Sequence, residues 1–339
     1  MDFRLTEDQR ALRAGVRELL EGRFGREALR AAVDAGDAGR EVVPRGLWRE
    51  LGGAGLFALC LPESAGGVGL GLPEAVLVFE EAGRALVPGP LVATFLAAGE
   101  VPGAAEGETV VTAADFAAGG SGEGLVLAYG READALLGPP GAGTATALGG
   151  AGVLAVRSAD PLTPLGRLPG GGGGVVGGAG EGGGVGGGLA AGAPHYSASQ
   201  RSTGALLTAA LQVGAALRCG ELAVRYAKDR EQFGRPIGGF QAVKHLCADM
   251  LARAEPARVA VYAAAVTGDP GEIAAAKLLA DEAAVRGARD CLQVHGGMGF
   301  TWEADVHLYV KRAWVRAGQW LSEGEAEELL AADLAAVVG

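Results

Sequence analysis

Two short stretches of this 339-residue chain carry residue types that could do chemistry. In YAKDREQFGRPIGGFQAVKHLCADM (Tyr226–Met250), Arg230, Gln232 and Phe233 close one helical pattern. A Gly-Arg-Pro turn follows, and Gln241 comes early in the next helical pattern. An arginine, an amide and an aromatic at such a corner suit a polar, planar, anionic ligand. The guanidinium can meet a pyrophosphate, and the amide and ring can bind or stack on a heterocycle. The same pattern also fits a helical-hairpin corner whose arginine caps carbonyls. The second stretch, CLQVHGGMGF (Cys291–Phe300), sets Gln293 one turn before Gly296, Gly297 and Gly299. Glycines there let the backbone approach a ligand and leave amides free to bond phosphate. Taken alone, it is a helix C-terminal stop.

Other chemistries find less support. His195, His245, His295 and His307 form no H-x-x-x-H or H-E-x-x-H pair, so no metal site is expected. Cys60, Cys219, Cys247 and Cys291 contain no C-x-x-C and read as reduced, mostly buried thiols, as in a cytoplasmic protein. GPPGAGTA (Gly138–Ala145) lacks the lysine of a phosphate loop. GGVGLG (Gly66–Gly71) lacks the strand before it and the acid after it that a dinucleotide fingerprint needs, so both read as turns.

The elements that must position the two stretches follow from periodicity. Thr6 and Gln9 form a capping-box signature, with Leu12, Val16, Leu19 and Leu20 behind it at helical spacing. Further helical segments are expected over Leu47–Leu61 and Glu74–Ala85. From about 101 to 169 short apolar runs alternate with Gly, Pro and Asp, which predicts small antiparallel strands at Thr109–Thr112, Leu125–Ala128, Ala135–Leu137 and Val153–Val156. Residues 170–188, with 14 of the 60 glycines, read as a loop or disordered stretch. Long helices are then expected over Ser202–Phe233, Phe240–Val266 with a kink at Pro256, and Ile273–Val294. A fourth runs from Trp302 toward Trp320, and a short acidic helix closes the chain.

Composition narrows the function classes. Lys plus Arg total 29 against 40 acids, a net charge of -11, which argues against nucleic-acid binding. Hydrophobic residues at 49% are ample for a core, and aromatics at 5% leave alanine, leucine and valine to build it. No secretory signal opens the chain and no uninterrupted apolar window of membrane length is evident, so a cytoplasmic protein without a membrane span is expected.

Together these residues carry a resemblance to the acyl-CoA dehydrogenases, FAD-dependent enzymes that desaturate acyl-CoA thioesters between the α and β carbons. LTEDQRALR (Leu5–Arg13) and GLFALCLPESAGGVGLG (Gly55–Gly71) resemble that family's N-terminal helical domain. R-x-Q-F-G-x-P-I-x-x-F-Q (Arg230–Gln241) and Q-V-H-G-G-x-G-F-T (Gln293–Thr301) resemble its two flavin-contacting motifs. The resemblance implies a mainly α fold in three parts. These are an N-terminal helical domain (1–100), a reduced central β domain with the Gly-rich loop (101–196) and a C-terminal four-helix bundle (197–339). It also implies a dimer of dimers in which one subunit's bundle completes its neighbour's FAD site. Arg230, Gln232, Phe233 and Gln241 would reach the adenosine-pyrophosphate portion, with Gln293, Gly296 and Gly297 lining the same region. An acyl-CoA substrate and an electron-transferring flavoprotein are implied in the same way.

The family pattern breaks in two places. Desaturation needs a general base for the α proton, and the family supplies a glutamate from one of two positions. One precedes the arginine that opens the first bundle helix, here Arg201, and holds Gln200. The other falls near Trp320. Neither is an acid, so no catalytic base is assigned. The family's T-E-P-x-x-G-S segment in the β domain is also missing. Gly299–Arg312, with Trp302, Glu303, His307, Tyr309 and Arg312, resembles the short partner subunits of heteromeric bacterial acyl-CoA dehydrogenases that act on steroid and other bulky acyl-CoA esters. For those five residues ordinary helix packing is an equal alternative. Three readings result: a non-catalytic subunit that completes a homologous partner's flavin site in a heterotetramer; a self-sufficient homotetramer whose base has moved, with Glu303, Glu323 and Glu325 as the nearest acids; and an assembly protein that binds no flavin.

Overall fold

The structure, a computed structural model, describes residues 4–116, 124–138, 148, 152–169 and 196–338. The glycine run 170–188 and nearly all of Gly138–Ala145 lie outside the described residues. In chain order the helices are α1 (Glu7–Arg23), α2 (Arg26–Asp37), α3 (Arg45–Gly53), α4 (Leu72–Arg84) and α5 (Leu91–Ala97). After the strands come α6 (Ala198–Asp229), α7 (Gln241–Thr267), α8 (Pro270–His295), α9 (Val306–Ala317) and α10 (Glu323–Val338). The fold is mainly helical, as expected.

Two compact units emerge. One comprises the described residues up to Arg30, Leu70–Val87 and Ser202 onward; the other comprises Ala31–Gly69 and Pro88–Arg201. In the first, the capping box reads as expected: Gln9 N donates to Thr6 Oγ1 (3.1 Å) and Thr6 N to Gln9 Oε1 (3.0 Å). Helices α4 and α6 are buried nearly all round over Ala75–Gly83 and Gly204–Ala216, which makes them core rather than surface helices. Glycine sets how closely they cross. A Cβ on Gly214 would fall 1.8 Å from the Glu80 carbonyl oxygen, and one on Gly83 would fall 2.0 Å from that of Leu211. By length and composition α6 could cross a membrane, although no apolar window of that length was expected. Burial of 67% of that window accounts for its apolarity.

Around α6, the bundle is built from α7, α8 and α9, with small residues at the seams: Ala254, Ala257 and Ala264 on α7, and Ala276, Ala280 and Ala283 on α8 are all buried. Helix α7 contains Pro256 within its length. A polar network crosses the interior. Gln212 Nε2 donates to Asp281 Oδ1 (2.9 Å) and to the Ala313 carbonyl (3.0 Å), and the fully buried Lys277 pairs with Asp281.

The second unit holds α3, α5 and the strands β1 (Val111–Ala113), β2 (Leu125–Ala128), β3 (Ala135–Leu137), β4 (Leu154–Val156) and β5 (Leu165–Leu168). β2, β5 and β4 form an antiparallel sheet in that order, but β1 and β3 pair in parallel. This corrects the expectation of antiparallel strands throughout. β2 lies between them in sequence but joins the other sheet, so the chain returns to β1 in the same direction.

Candidate functional site

The Arg230–Gln241 stretch folds as a tight hairpin at the corner between α6 and α7. Its strands, β6 (Glu231–Gln232) and β7 (Arg235–Pro236), pair antiparallel with Gln232 opposite Arg235. The two turn residues, Phe233 (φ 53°) and Gly234 (φ 74°), both have positive φ, as a two-residue hairpin turn of the primed type requires. Glycine adopts that conformation freely; for Phe233 it is unusual and costly. The result is a phenyl ring 91% exposed at the hairpin tip. Phe240, the residue before α7, meets Phe233 edge-on at 6.0 Å and carries the Arg235 guanidinium over its face at 4.2 Å. Gln241 follows directly as the first residue of α7.

Arg230, Gln232, Phe233 and Gln241 therefore share one exposed corner. The Arg230 and Gln241 side chains have no hydrogen-bond or ion-pair partner among the described residues. Gln232 Nε2 donates only to the neighbouring Glu231 carbonyl (2.7 Å). The alternative in which Arg230 caps carbonyls finds no such bond. Instead its backbone does the local work: Arg230 N donates to Tyr226 O (2.8 Å), and Ile237 N donates to Arg230 O (2.8 Å), which closes the hairpin.

The second stretch lies beside the same end of α6. Tyr226, one turn before Arg230, stacks on His295 with ring centroids 4.1 Å apart and planes 23° from parallel. That stack brings the α8 terminus to the hairpin corner. Gln293 is exposed, and Gly296 (φ 57°) turns the chain out of the helix. A Cβ at Gly296 or Gly297 would meet nothing within 4 Å, so both backbones are open to approach. His295 Nδ1 lies 2.8 Å from the Cys291 carbonyl oxygen and so carries the proton toward it. Burial would lower the His295 pKa, but the bonds to the Cys291 thiol and carbonyl outweigh it and raise the value. The Cys219 hydrogen bond draws the Cys291 thiol below its ordinary range, and burial pushes Cys219 well above it. Tyr226, His295 and Arg235 are the contributors that sequence reasoning did not single out. Each acts through a ring contact, and spacing alone does not reveal one.

At the positions where a base is needed, the structure finds other work. Gln200 belongs to the capping box that opens α6: Ser197 N donates to Gln200 Oε1 (2.8 Å), and Gln200 N donates to Ser197 Oγ (3.1 Å). Its Nε2 donates to Glu100 Oε1 (3.0 Å) and to the Leu96 carbonyl (3.3 Å). Trp320 is 2% exposed, sits at φ 63°, and lies so close to Gly204 that a Cβ there would fall 2.3 Å from the indole. The acids expected nearest to it are engaged or exposed. Glu325 Oε2 accepts from Ser322 N (3.0 Å) and Oγ (2.8 Å) at the start of α10, Glu323 is an exposed first-turn acid, and Glu303 is exposed.

Comparison with known proteins bears on this arrangement. The profile of the acyl-CoA dehydrogenase N-terminal domain matches residues 6–101, and that of the C-terminal domain matches residues 196–327. Acyl-CoA dehydrogenase IpdE2 of Mycobacterium tuberculosis (strain ATCC 25618 / H37Rv) is 38% identical over 313 residues, 91% of each chain.

The chain belongs to the acyl-CoA dehydrogenase family.

Solved structures agree. A chain of the ChsE4-ChsE5 complex from Mycobacterium tuberculosis superposes with a TM-score of 0.79 at 27% identity, over 99% of both chains. A chain of the Tcur3481-Tcur3483 steroid ACAD (G363A variant) gives 0.79 at 26% identity, over 98% of this chain and 99% of that one. The acyl-CoA dehydrogenase family is FAD-dependent. The donor set fits an anionic, planar group: an unpaired guanidinium, three amides, an exposed ring and two glycines with open backbone.

The remaining acyl-CoA dehydrogenase signature, Gly299–Arg312, serves mostly as packing. Tyr309 donates its hydroxyl to the Arg84 carbonyl (2.9 Å), and the buried Arg312 donates to the Val87 carbonyl (3.2 Å). Trp302 stacks on His307 at 5.0 Å with planes 18° apart.

Proposed function

We propose that this chain is the non-catalytic subunit of a heteromeric FAD-dependent acyl-CoA dehydrogenase of the cytoplasm. Its exposed corner completes the flavin site of a homologous catalytic partner. One observation carries the reading: Arg230 and Gln241 stand exposed at one corner with no side-chain partner among the described residues, while both base positions hold residues engaged elsewhere, Gln200 in a helix cap and Trp320 in the core. FAD, when bound, would supply the hydride acceptor for the β carbon. This chain's part is to bind and orient it. The Arg230 guanidinium would neutralise pyrophosphate charge, the Gln232, Gln241 and Gln293 amides would bond the nucleotide edge, and Phe233 would shield it from water. Gly296 and Gly297 would let backbone come close. Likeness to chains of a heteromeric complex and of a steroid enzyme supports a bulky acyl-CoA, steroid-derived among them, as the complex's substrate. An electron-transferring flavoprotein is the proposed acceptor.

The test is purification of the chain alone and together with the product of its neighbouring gene, with flavin absorbance and native mass read on both. A colourless chain alone and a yellow, active heterotetramer with its partner are expected. Arg230→Ala in the complex should lower flavin occupancy without dissociating the subunits. A yellow, active homotetramer from this chain alone would overturn the proposal.

A second reading, a self-sufficient enzyme with a moved base, draws on one contact. The Glu100 carboxylate sits 3.0 Å from the Gln200 amide, beside one of the two family base positions. If the chain is active alone, Glu100→Gln should abolish desaturation.

A further inference from the structure

A cavity of about 480 Å³ in the helical unit takes no part in the flavin corner. Five helices wall it. Leu20 comes from α1 and Phe24 caps that helix, Leu29 comes from α2, Arg84 from the end of α4, and Tyr309 from α9. Arg218, Leu222 and Arg225 lie at i, i+4 and i+7 on one face of α6. The lining is amphipathic, with leucines and a phenyl ring beside guanidiniums. Its charges do not cancel. Arg17 holds Glu81 bidentately (2.8 and 2.6 Å), Arg84 and Arg218 share the single carboxylate of Glu221, and Arg26 and Arg30 share Asp305. Glu21 lines the cavity without an ion pair, and so does Arg225, which has neither hydrogen bond nor ion pair among the described residues. Five guanidiniums (Arg17, Arg26, Arg84, Arg218 and Arg225) thus line the cavity against three carboxylates (Glu21, Glu81 and Asp305), in a chain whose net charge is -11. Asp305 Oδ1 and Arg30 Nη1 face each other at 3.5 Å as an ion pair without a hydrogen bond.

A cavity of this size that sets apolar side chains beside charged groups can hold a small amphiphilic molecule. The surplus cation fixes the sign of the ligand, and the leucines and phenyl ring fix its body. We propose that this cavity binds a small amphiphilic carboxylate, its head on Arg225 and its hydrocarbon body against Leu20, Phe24 and Leu222. A neutral or cationic amphiphile would leave the surplus charge uncompensated. The inference stands apart from the flavin reading, because none of these side chains belongs to the flavin corner.

Titration calorimetry with decanoate and with decanol tests it, on the purified chain and on its complex with the partner subunit. Saturable binding of one decanoate per copy of this chain is expected in both, with at least tenfold weaker binding of decanol. Arg225→Ala should weaken decanoate at least tenfold, as loss of one charge-assisted contact does. Leu222→Trp, on a half-exposed helix position, should narrow the cavity and weaken decanoate while leaving the helical circular dichroism unchanged. Absence of saturable binding, equal affinity for decanol, or decanoate affinity unmoved by both variants would overturn the proposal. So would binding to the isolated chain alone, since a protein surface would then cover the cavity in the complex. None of these readouts uses flavin or turnover, so failure here leaves the proposed function standing.

Discussion

His307 offers a perturbation whose size can be worked from the structure. The ring is 8% exposed, stacks on Trp302, and neither nitrogen has a hydrogen-bond partner. Burial first, then the Lys311 and Arg30 charges, press its pKa from 6.5 down to about 4, against a smaller opposing pull from Asp305. Between those two values the unfolded chain binds a proton that the folded chain refuses. Stability therefore falls as pH drops below 6.5, and the loss is complete below about 4. At pH 5 the two pKa values give a penalty of about 2 kcal/mol, and at pH 7.5 close to zero. His307→Phe keeps a flat ring against Trp302 and removes the titration. Urea unfolding of both proteins from pH 4.5 to 7.5 should give curves that converge at neutral pH and separate by about 2 kcal/mol at pH 5, with the variant more stable. Parallel curves across that range would refute the account of a neutral, buried imidazole.

Three further substitutions probe the core beneath the site. Trp320→Ala should cost about 3–5 kcal/mol in urea unfolding, because it empties a packed site; a smaller loss would mean that the indole is not seated against Gly204. Gly214→Ala should cost about 1–3 kcal/mol and lower the thermal midpoint, since its methyl group meets the Glu80 carbonyl of α4 at a crossing that cannot widen locally. Lys277→Ala should cost about 3–5 kcal/mol by stranding Asp281, and the pair change Lys277→Met with Asp281→Leu should recover most of it, both read as denaturant midpoints.

The sequence was most legible where a local rule is complete in itself. Thr6 and Gln9 are three residues apart, and their reciprocal bonds form without help from elsewhere. The Arg230–Gln241 corner is local in the same sense: its hairpin needs only Phe233 and Gly234 at positive φ. Helices α2 and α5 were not anticipated. α5 is seven residues of LVATFLA, an apolar run with no period to read, and it is helical because it is buried beside β1, where Thr94 Oγ1 bonds Val111. The parallel pairing of β1 with β3 was equally hidden, because the direction of a strand is set by where the intervening chain travels. Strand residues carry no mark of it.

The same division runs through the candidate site. Residue types named Arg230, Gln232, Phe233, Gln241 and Gln293, but they do not show the Tyr226–His295 stack that brings the two stretches together. The vacancy at the base position works the other way. From sequence, Gln200 is a glutamate lost. In the structure it completes the Ser197 capping box, which glutamate could also complete, and it donates to Glu100 and to Leu96 O, which glutamate cannot. Gln200→Glu would keep the cap but set two carboxylates face to face at Glu100, where like charges repel. The amide is thus the residue that its neighbourhood selects. That is why restoring the acid here should weaken the start of α6 before it restores any chemistry.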